Sequence, residues 1–211
     1  MNDPLVIRAL TEFIPHMIIG LTGQIGAGKT AAAKILARFG AYIIDADKIG
    51  HQVVAQSATL RRQLVRAFGK EILDKRGEVR RKKLASLAFA NENSKQTLNR
   101  LVHPHLLREL RRQVKQALET HEVIVIDAAL LLYWKMDREV DRVLVIHTSR
   151  EQRLARMTTR GISRTDALAR ERAQLPYSEF RKRADILFLN NGSVDDLERK
   201  LRAFWRRTVE R

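Results

Sequence analysis

The chain has 211 residues, no cysteine, 45% hydrophobic residues and a formal net charge of +16. This length and apolar fraction suit one α/β domain with room for an inserted part. The lack of cysteine excludes disulfides and thiolate metal sites, and no apolar run approaches the ~20 residues that span a bilayer.

Residues 1–16 contain Asp3, Glu12 and Pro15, which make a poor signal peptide; they read as an N-terminal extension. Met17–Thr22 is predicted as a strand and residues 31–39 as a helix. Between them Gly23, Gln24, Ile25, Gly26, Ala27, Gly28, Lys29 and Thr30 spell a complete Gly-x-x-x-x-Gly-Lys-[Ser/Thr] phosphate-binding loop, in the strand–loop–helix setting that the motif needs. The glycines let successive N–H groups curl into one concavity, and the helix N-terminus adds partial positive charge. Lys29 can reach the β- and γ-phosphates of a nucleoside triphosphate, and the Thr30 hydroxyl can ligand Mg²⁺.

Residues 41–44 form a second predicted strand that leads into Asp45-Ala46-Asp47. Asp47 is the first candidate to take the proton of an acceptor hydroxyl and Asp45 the second. Either carboxylate could instead organise Mg²⁺ through water, and Asp47 could cap a helix starting at Lys48. From Lys48 to about Thr120 the pattern is helical: Leu60, Leu64 and Phe68 share one face, as do Leu84, Leu87 and Ala88, with a break at Gly77. Residues 98–118 continue it, with a kink or break predicted at Pro104. Within this region Arg80-Arg81-Lys82-Lys83 faces an anionic substrate or solvent, and His103-Pro104-His105 lacks an acid or cysteine at metal-ligand spacing.

Residues 122–127 and 141–147 are β-branched apolar runs of the kind found in buried parallel strands. Asp127 ends the first of them, the position of a Walker-B metal aspartate; a turn or N-cap role is the alternative. Residues 150–183 are basic and helical, with Gln152, Arg156 and Arg160 at successive i, i+4 positions. Guanidinium groups so spaced can clamp phosphates as part of a lid that closes and excludes water, or they form a solvated face. Residues 184–189 are a last strand, followed by Asn190-Asn191-Gly192 and an amphipathic helix carrying Val194, Leu197, Leu201 and Phe204. This alternation predicts an α/β fold of the P-loop NTPase type with a parallel five-stranded sheet, its ligands at the C-terminal strand ends. The excess positive charge fits polyanionic substrates or a basic solvated surface; with 6% aromatic residues and no stacking platform, it fits a nucleic-acid-binding ATPase less well.

From Met17 to about Leu201 the chain resembles the dephospho-CoA kinase family. The resemblance is carried by Leu21-Thr22-Gly23 through Lys29-Thr30; Ile44-Asp45-Ala46-Asp47 followed by His51; Arg81 with Leu84 and Phe89; and Leu101-Val102-His103-Pro104. Asp127, Gln152, Arg156, Arg160, Gln174, Ala184-Asp185 and Asn190-Asn191-Gly192 complete it. It implies one domain over 17–211, with a nucleotide core (17–47, 120–149 and 184–211), a helical CoA-binding insertion (48–119) and a helical lid (150–183). It implies ATP with Mg²⁺ as donor and the ribose 3′-hydroxyl of dephospho-CoA as acceptor. Asp47 takes the base position, Thr22 and Lys29 lie close to the reacting phosphates, Arg156 and Arg160 come from the lid, and Asn190 lies near the adenine. Asp47, His51, Arg81 and His103 face dephospho-CoA, and Thr30 and Asp127 serve the metal. The resemblance further implies a cytoplasmic monomer or weak oligomer acting on two small molecules, with no nucleic acid and no membrane. The chain departs from the family after its third strand, where Asp-x-Pro-Leu-Leu-[Phe/Tyr]-Glu is usual and Asp127-Ala128-Ala129-Leu130-Leu131-Leu132-Tyr133 stands here. That departure warrants an alternative acceptor for the same P-loop chemistry, such as a nucleoside or nucleotide.

Overall fold

The computed structural model describes residues 16–210, so the predicted extension over 1–16 lies outside the described residues except for His16. The chain divides into two compact units, one running up to Ile44 and resuming at Gln116, the other spanning Asp45–Lys115.

The first unit is built on β1 (Met17–Thr22), β2 (Tyr42–Asp45), β3 (Val123–Asp127), β4 (Arg142–His147) and β5 (Ile186–Leu189). These form one sheet in the order β2-β3-β1-β4-β5, the predicted five-stranded parallel sheet. β1 sits at its centre, with Ile18 opposite Ile124 of β3 and Leu21 opposite Leu144 of β4. β3 and β4 are buried on both faces, as the continuous apolar runs require. On one face Ile19, Leu21, Val125, Leu144 and Ile146 meet Ile35 and Leu36 of α1 (Lys29–Arg38). Leu197, Leu201, Phe204 and Trp205 of α9 (Val194–Thr208) join the same cluster. Each such side chain contributes about 1.5–3 kcal/mol on burial. Ser193 and Asp196 form a reciprocal capping box at the start of α9. Val194, expected on its apolar face, is exposed: it occupies the first helical position, beyond the stripe that Leu197, Leu201 and Phe204 lay on the sheet.

The second unit contains α2 (Ala46–Gln56), α3 (Ala58–Phe68), α4 (Arg81–Ala88) and most of α5 (Glu92–Ala117). Val54, Leu60, Leu64, Ile72 and Leu84 form its core, with Leu98, Leu101 and Val102 packed against them. Gly77 turns the chain in the left-handed region between Leu73 and Val79, which pair as an antiparallel bridge. Two expectations are corrected here. Helix α2 begins at Ala46, two residues before the expected start, and its N-cap is Asp45, whose carboxylate accepts from the Lys48 N–H at 3.0 Å; Asp47 lies in the first turn. Of the kink or break predicted at Pro104, the break is absent, because α5 runs through that residue. Proline removes one ladder bond, but apolar side chains on both sides of it, Leu101 and Val102 before and the buried Leu106 and Leu110 after, hold the helix.

The segment expected to form a lid, 150–183, belongs to the first unit and consists of α6 (Arg150–Thr159), α7 (Arg164–Arg172) and α8 (Tyr177–Arg183). Ser149 and Ser163 cap the first two. Among the described residues no helix is long and apolar enough to cross a membrane.

Candidate active site

The phosphate loop leaves the central strand and enters α1, so the topology places it at the C-terminal edge of the sheet. The Ala27 N–H donates to the Gln24 carbonyl at 3.0 Å, closing a tight turn. Gly26 and Gly28 stand at φ +79° and +104°, where a side chain is strained. A Cβ on Gly26 would lie 2.7 Å from the Arg153 carbonyl oxygen, and one on Gly28 2.2 Å from the Asn190 Nδ2. Gly28 is also the N-cap of α1; no side chain caps that helix and its first turn carries no acid. The orphan donors of a helix start are an anion site when left uncapped. Thr22 and Gln24 are buried, and among the described residues the Thr22 hydroxyl and the Gln24 side-chain oxygen have no hydrogen-bond partner.

Lys29 and Asp127, predicted to serve phosphate and metal, form an ion pair that is largely shielded from solvent. β3 lies beside β1, so its terminal carboxylate meets the first turn of α1. The pair keeps both charges satisfied. Thr30 is exposed one residue further along.

Helix α6 meets this loop directly. Arg156 on α6 donates through Nη1 to the Ala27 carbonyl at 3.2 Å and to the Gly26 carbonyl at 3.5 Å, and through Nη2 to the Asn190 carbonyl at 2.9 Å. Asn190 is buried, and its Nδ2 donates to the same Ala27 carbonyl at 2.8 Å. Gln152, on the same face of α6, donates to the Asn191 carbonyl at 3.1 Å, and the Thr148 hydroxyl links the Gln152 and Asn191 side chains. Thus Gln152, Arg156, Asn190 and the phosphate loop converge, while Arg160 is exposed at the C-cap of α6.

Sequence reasoning missed Glu171. Its carboxylate accepts from Arg150 Nε at 2.9 Å and from Arg153 Nη2 at 2.6 Å, tying α7 to α6. Burial pushes the Glu171 carboxyl up, but the hydrogen bonds from the two guanidinium groups outweigh it and leave it below the usual glutamate range. Arg153 is 5% exposed. Glu171→Ala is therefore expected to destabilise the lid by about 3 kcal/mol, the cost of stranding a buried charge, and to lower Tm by roughly 6–12 °C for a chain of this size. Because the folded-state value lies below the unfolded one, the stabilisation is present above the ordinary glutamate range and fades as pH falls through the folded value. Thermal scans of both proteins should draw together as pH falls below the ordinary glutamate range. The stack of His147 on Tyr177, centroids 3.8 Å apart, was also unforeseen.

The remaining candidates belong to the second unit. Asp47, His51 and Arg81 are exposed, and Arg81 opens α4. His103 is half-buried on α5, and burial holds its imidazole below the usual histidine range. It is therefore neutral at pH 7 and suited to hydrogen bonding.

A model of the family described as "Dephospho-CoA kinase" matches residues 17–196. The chain is 38% identical over 192 residues to the dephospho-CoA kinase of Corynebacterium diphtheriae, covering 90% of this chain and 96% of that protein. It is 37% identical over 186 residues to that of Carboxydothermus hydrogenoformans, covering 87% and 90%. The solved structure of the dephospho-CoA kinase from Campylobacter jejuni superposes with a TM-score of 0.68 at 25% identity, covering 90% of this chain and 96% of that one. These likenesses support dephospho-CoA over a nucleoside as the acceptor. The phosphate loop and its lid thus sit within a likeness that spans nearly the whole sheet and insertion, and the chain belongs to the dephospho-CoA kinase family, ATP-dependent kinases that catalyse the last step of coenzyme A biosynthesis.

Proposed function

We propose that the chain transfers the γ-phosphate of ATP to the ribose 3′-hydroxyl of dephospho-CoA, giving coenzyme A and ADP, with the residue roles that follow. The observation that carries the reading is the uncapped phosphate loop at the start of α1, with Lys29 at its rim and Arg156 bonded across it. Phosphoryl transfer needs the donor held, its charge neutralised and the acceptor hydroxyl deprotonated. Residues 23–30 hold the phosphates, and Asn190, bonded to Ala27, lies beside the nucleoside. Lys29, Thr22 and the lid arginines Arg156 and Arg160 stabilise charge on the transferring group.

Asp47 accepts the proton of the 3′-hydroxyl. Its neighbour Asp45 caps α2. His51, Arg81 and His103 bind dephospho-CoA, Arg81 by charge and His103 as a neutral hydrogen-bonding group. Thr30 and Asp127 offer a hydroxyl and a carboxylate, the hard oxygen donors that suit Mg²⁺ when phosphates and water complete its shell. When bound there, Mg²⁺ neutralises the β- and γ-phosphates. Residues 17–47, 120–149 and 184–211 are the nucleotide core, 48–119 the acceptor-binding part and 150–183 the lid. The same reading has the enzyme work in the cytoplasm as a monomer or weak oligomer on two small molecules, without nucleic acid or membrane.

A coupled ADP-release assay with Mg-ATP, run with and without dephospho-CoA and with the product weighed by mass spectrometry, tests this. ADP release that depends on dephospho-CoA and adds one phosphate to it is expected. Release that is indifferent to dephospho-CoA would remove the reading.

A further inference from the structure

One lid contact has no part in the roles assigned above. The Gln174 side-chain oxygen accepts a hydrogen bond from the backbone N–H of Ile25 at 2.8 Å, across 149 positions of sequence. Gln174 is half-buried just beyond α7, its own N–H bonded to the Glu171 carbonyl at 3.1 Å. The Ile25 N–H belongs to the same planar peptide as the Gln24 carbonyl. That carbonyl accepts from Ala27 and closes the turn of the phosphate loop. Fixing one end of a rigid peptide fixes the other. On the far side of the turn Arg156 holds the Gly26 and Ala27 carbonyls. The lid therefore grips the loop by both a donor and an acceptor, and the acceptor side is Gln174 alone among the described residues that bond Ile25.

We propose that Gln174 is a positioning residue for the donor nucleotide: by pinning the Gln24–Ile25 peptide it sets the direction in which the following loop N–H groups point, and so couples the closed lid to the grip on the ATP phosphates. This rests on the reading of residues 23–30 as the ATP site. Methionine at 174 keeps the length of the side chain but accepts no comparable hydrogen bond. An N–H left unpaired by that loss lets the peptide rotate, with a penalty passed to phosphate binding.

The test compares wild type, Gln174→Met, Gln174→Glu and Lys29→Ala by steady-state kinetics and by hydrogen exchange of the peptide spanning residues 21–30 in the nucleotide-free enzyme. For Gln174→Met the KM for ATP should rise roughly tenfold, the KM for dephospho-CoA should stay within about twofold, and exchange in 21–30 should speed up. Gln174→Glu retains an acceptor and should restore the exchange protection. A methionine variant with wild-type KM for ATP and wild-type exchange overturns the proposal, as does a uniform rise of exchange across the whole lid. If Gln174→Met does not fold, Gln174→Asn, too short to reach Ile25, is read by the same two measurements. Should Lys29→Ala leave ATP binding intact, the ATP-site reading itself fails; should Lys29→Ala lose ATP while Gln174→Met behaves as wild type, the positioning role alone fails.

Discussion

Lys29→Ala is expected to lower kcat/KM for ATP by two to three orders of magnitude, the range seen when a preorganised donor to transferring charge is removed. Two losses combine in that number. The ammonium group is no longer offered to the phosphates, and Asp127, which pairs with it, is left as an uncompensated carboxylate beside the phosphate loop. The second loss also bears on folding, since breaking one side of a shielded pair costs roughly 3 kcal/mol. The two effects separate in a double-mutant cycle. Lys29→Met should lower Tm, and Lys29→Met with Asp127→Asn should recover most of it because no charge remains stranded. Activity should stay low in the double variant, because neither the phosphate contact nor the metal-side carboxylate returns. Recovery of turnover together with Tm would show that Lys29 serves only to neutralise Asp127.

The phosphate loop was legible in the sequence because all of its parts are contiguous: strand, glycines, lysine, hydroxyl and helix follow one another within fourteen residues, 17–30. The sheet was legible for a related reason, since the β-branched runs ending at Asp127 and His147 are dictated by burial on both faces. What the sequence hid are contacts between segments that only the fold brings together, from 18 positions apart for Arg153 and Glu171 to 149 for Ile25 and Gln174. Arg156 appeared as one of a row of guanidinium groups, and its bonds to Ala27 and Asn190 depend on how α6 docks at the sheet edge. Gln174 belonged to the family resemblance without a role, and Glu171 looked like one more charge on a solvated helix, although it neutralises the buried Arg153. Local rules misled in two places where tertiary packing or an earlier cap won: Pro104 did not break α5, and the acid that caps α2 is Asp45 and not Asp47.

That last correction sharpens the second large effect, which is expected at Asp47. The sequence leaves two carboxylates two residues apart and gives either the task of accepting the acceptor's proton. The Asp45 carboxylate accepts from the Lys48 N–H and lies 3.6 Å from the Lys48 ammonium group, and Asp47 is exposed in the first turn of α2, where a negative charge suits the helix dipole. Asparagine caps a helix about as well as aspartate, so Asp45→Asn should change kcat less than about threefold and Tm by little. Asp47→Asn keeps the size of the side chain but loses a base, and should lower kcat by two or more orders of magnitude, the usual contribution of a positioned general base. The KM for ATP should remain within about twofold, because the phosphate loop and Lys29 are untouched. Three outcomes are distinguishable in one set of progress curves. A collapse of kcat in Asp47→Asn alone assigns the base to Asp47. A collapse in Asp45→Asn alone would mean that the capping carboxylate leaves its N–H to take the proton. Near-normal turnover in both would place proton removal on neither acid, leaving the 3′-hydroxyl to be deprotonated as the phosphoryl group departs, with the loop and lid supplying the catalysis by charge stabilisation.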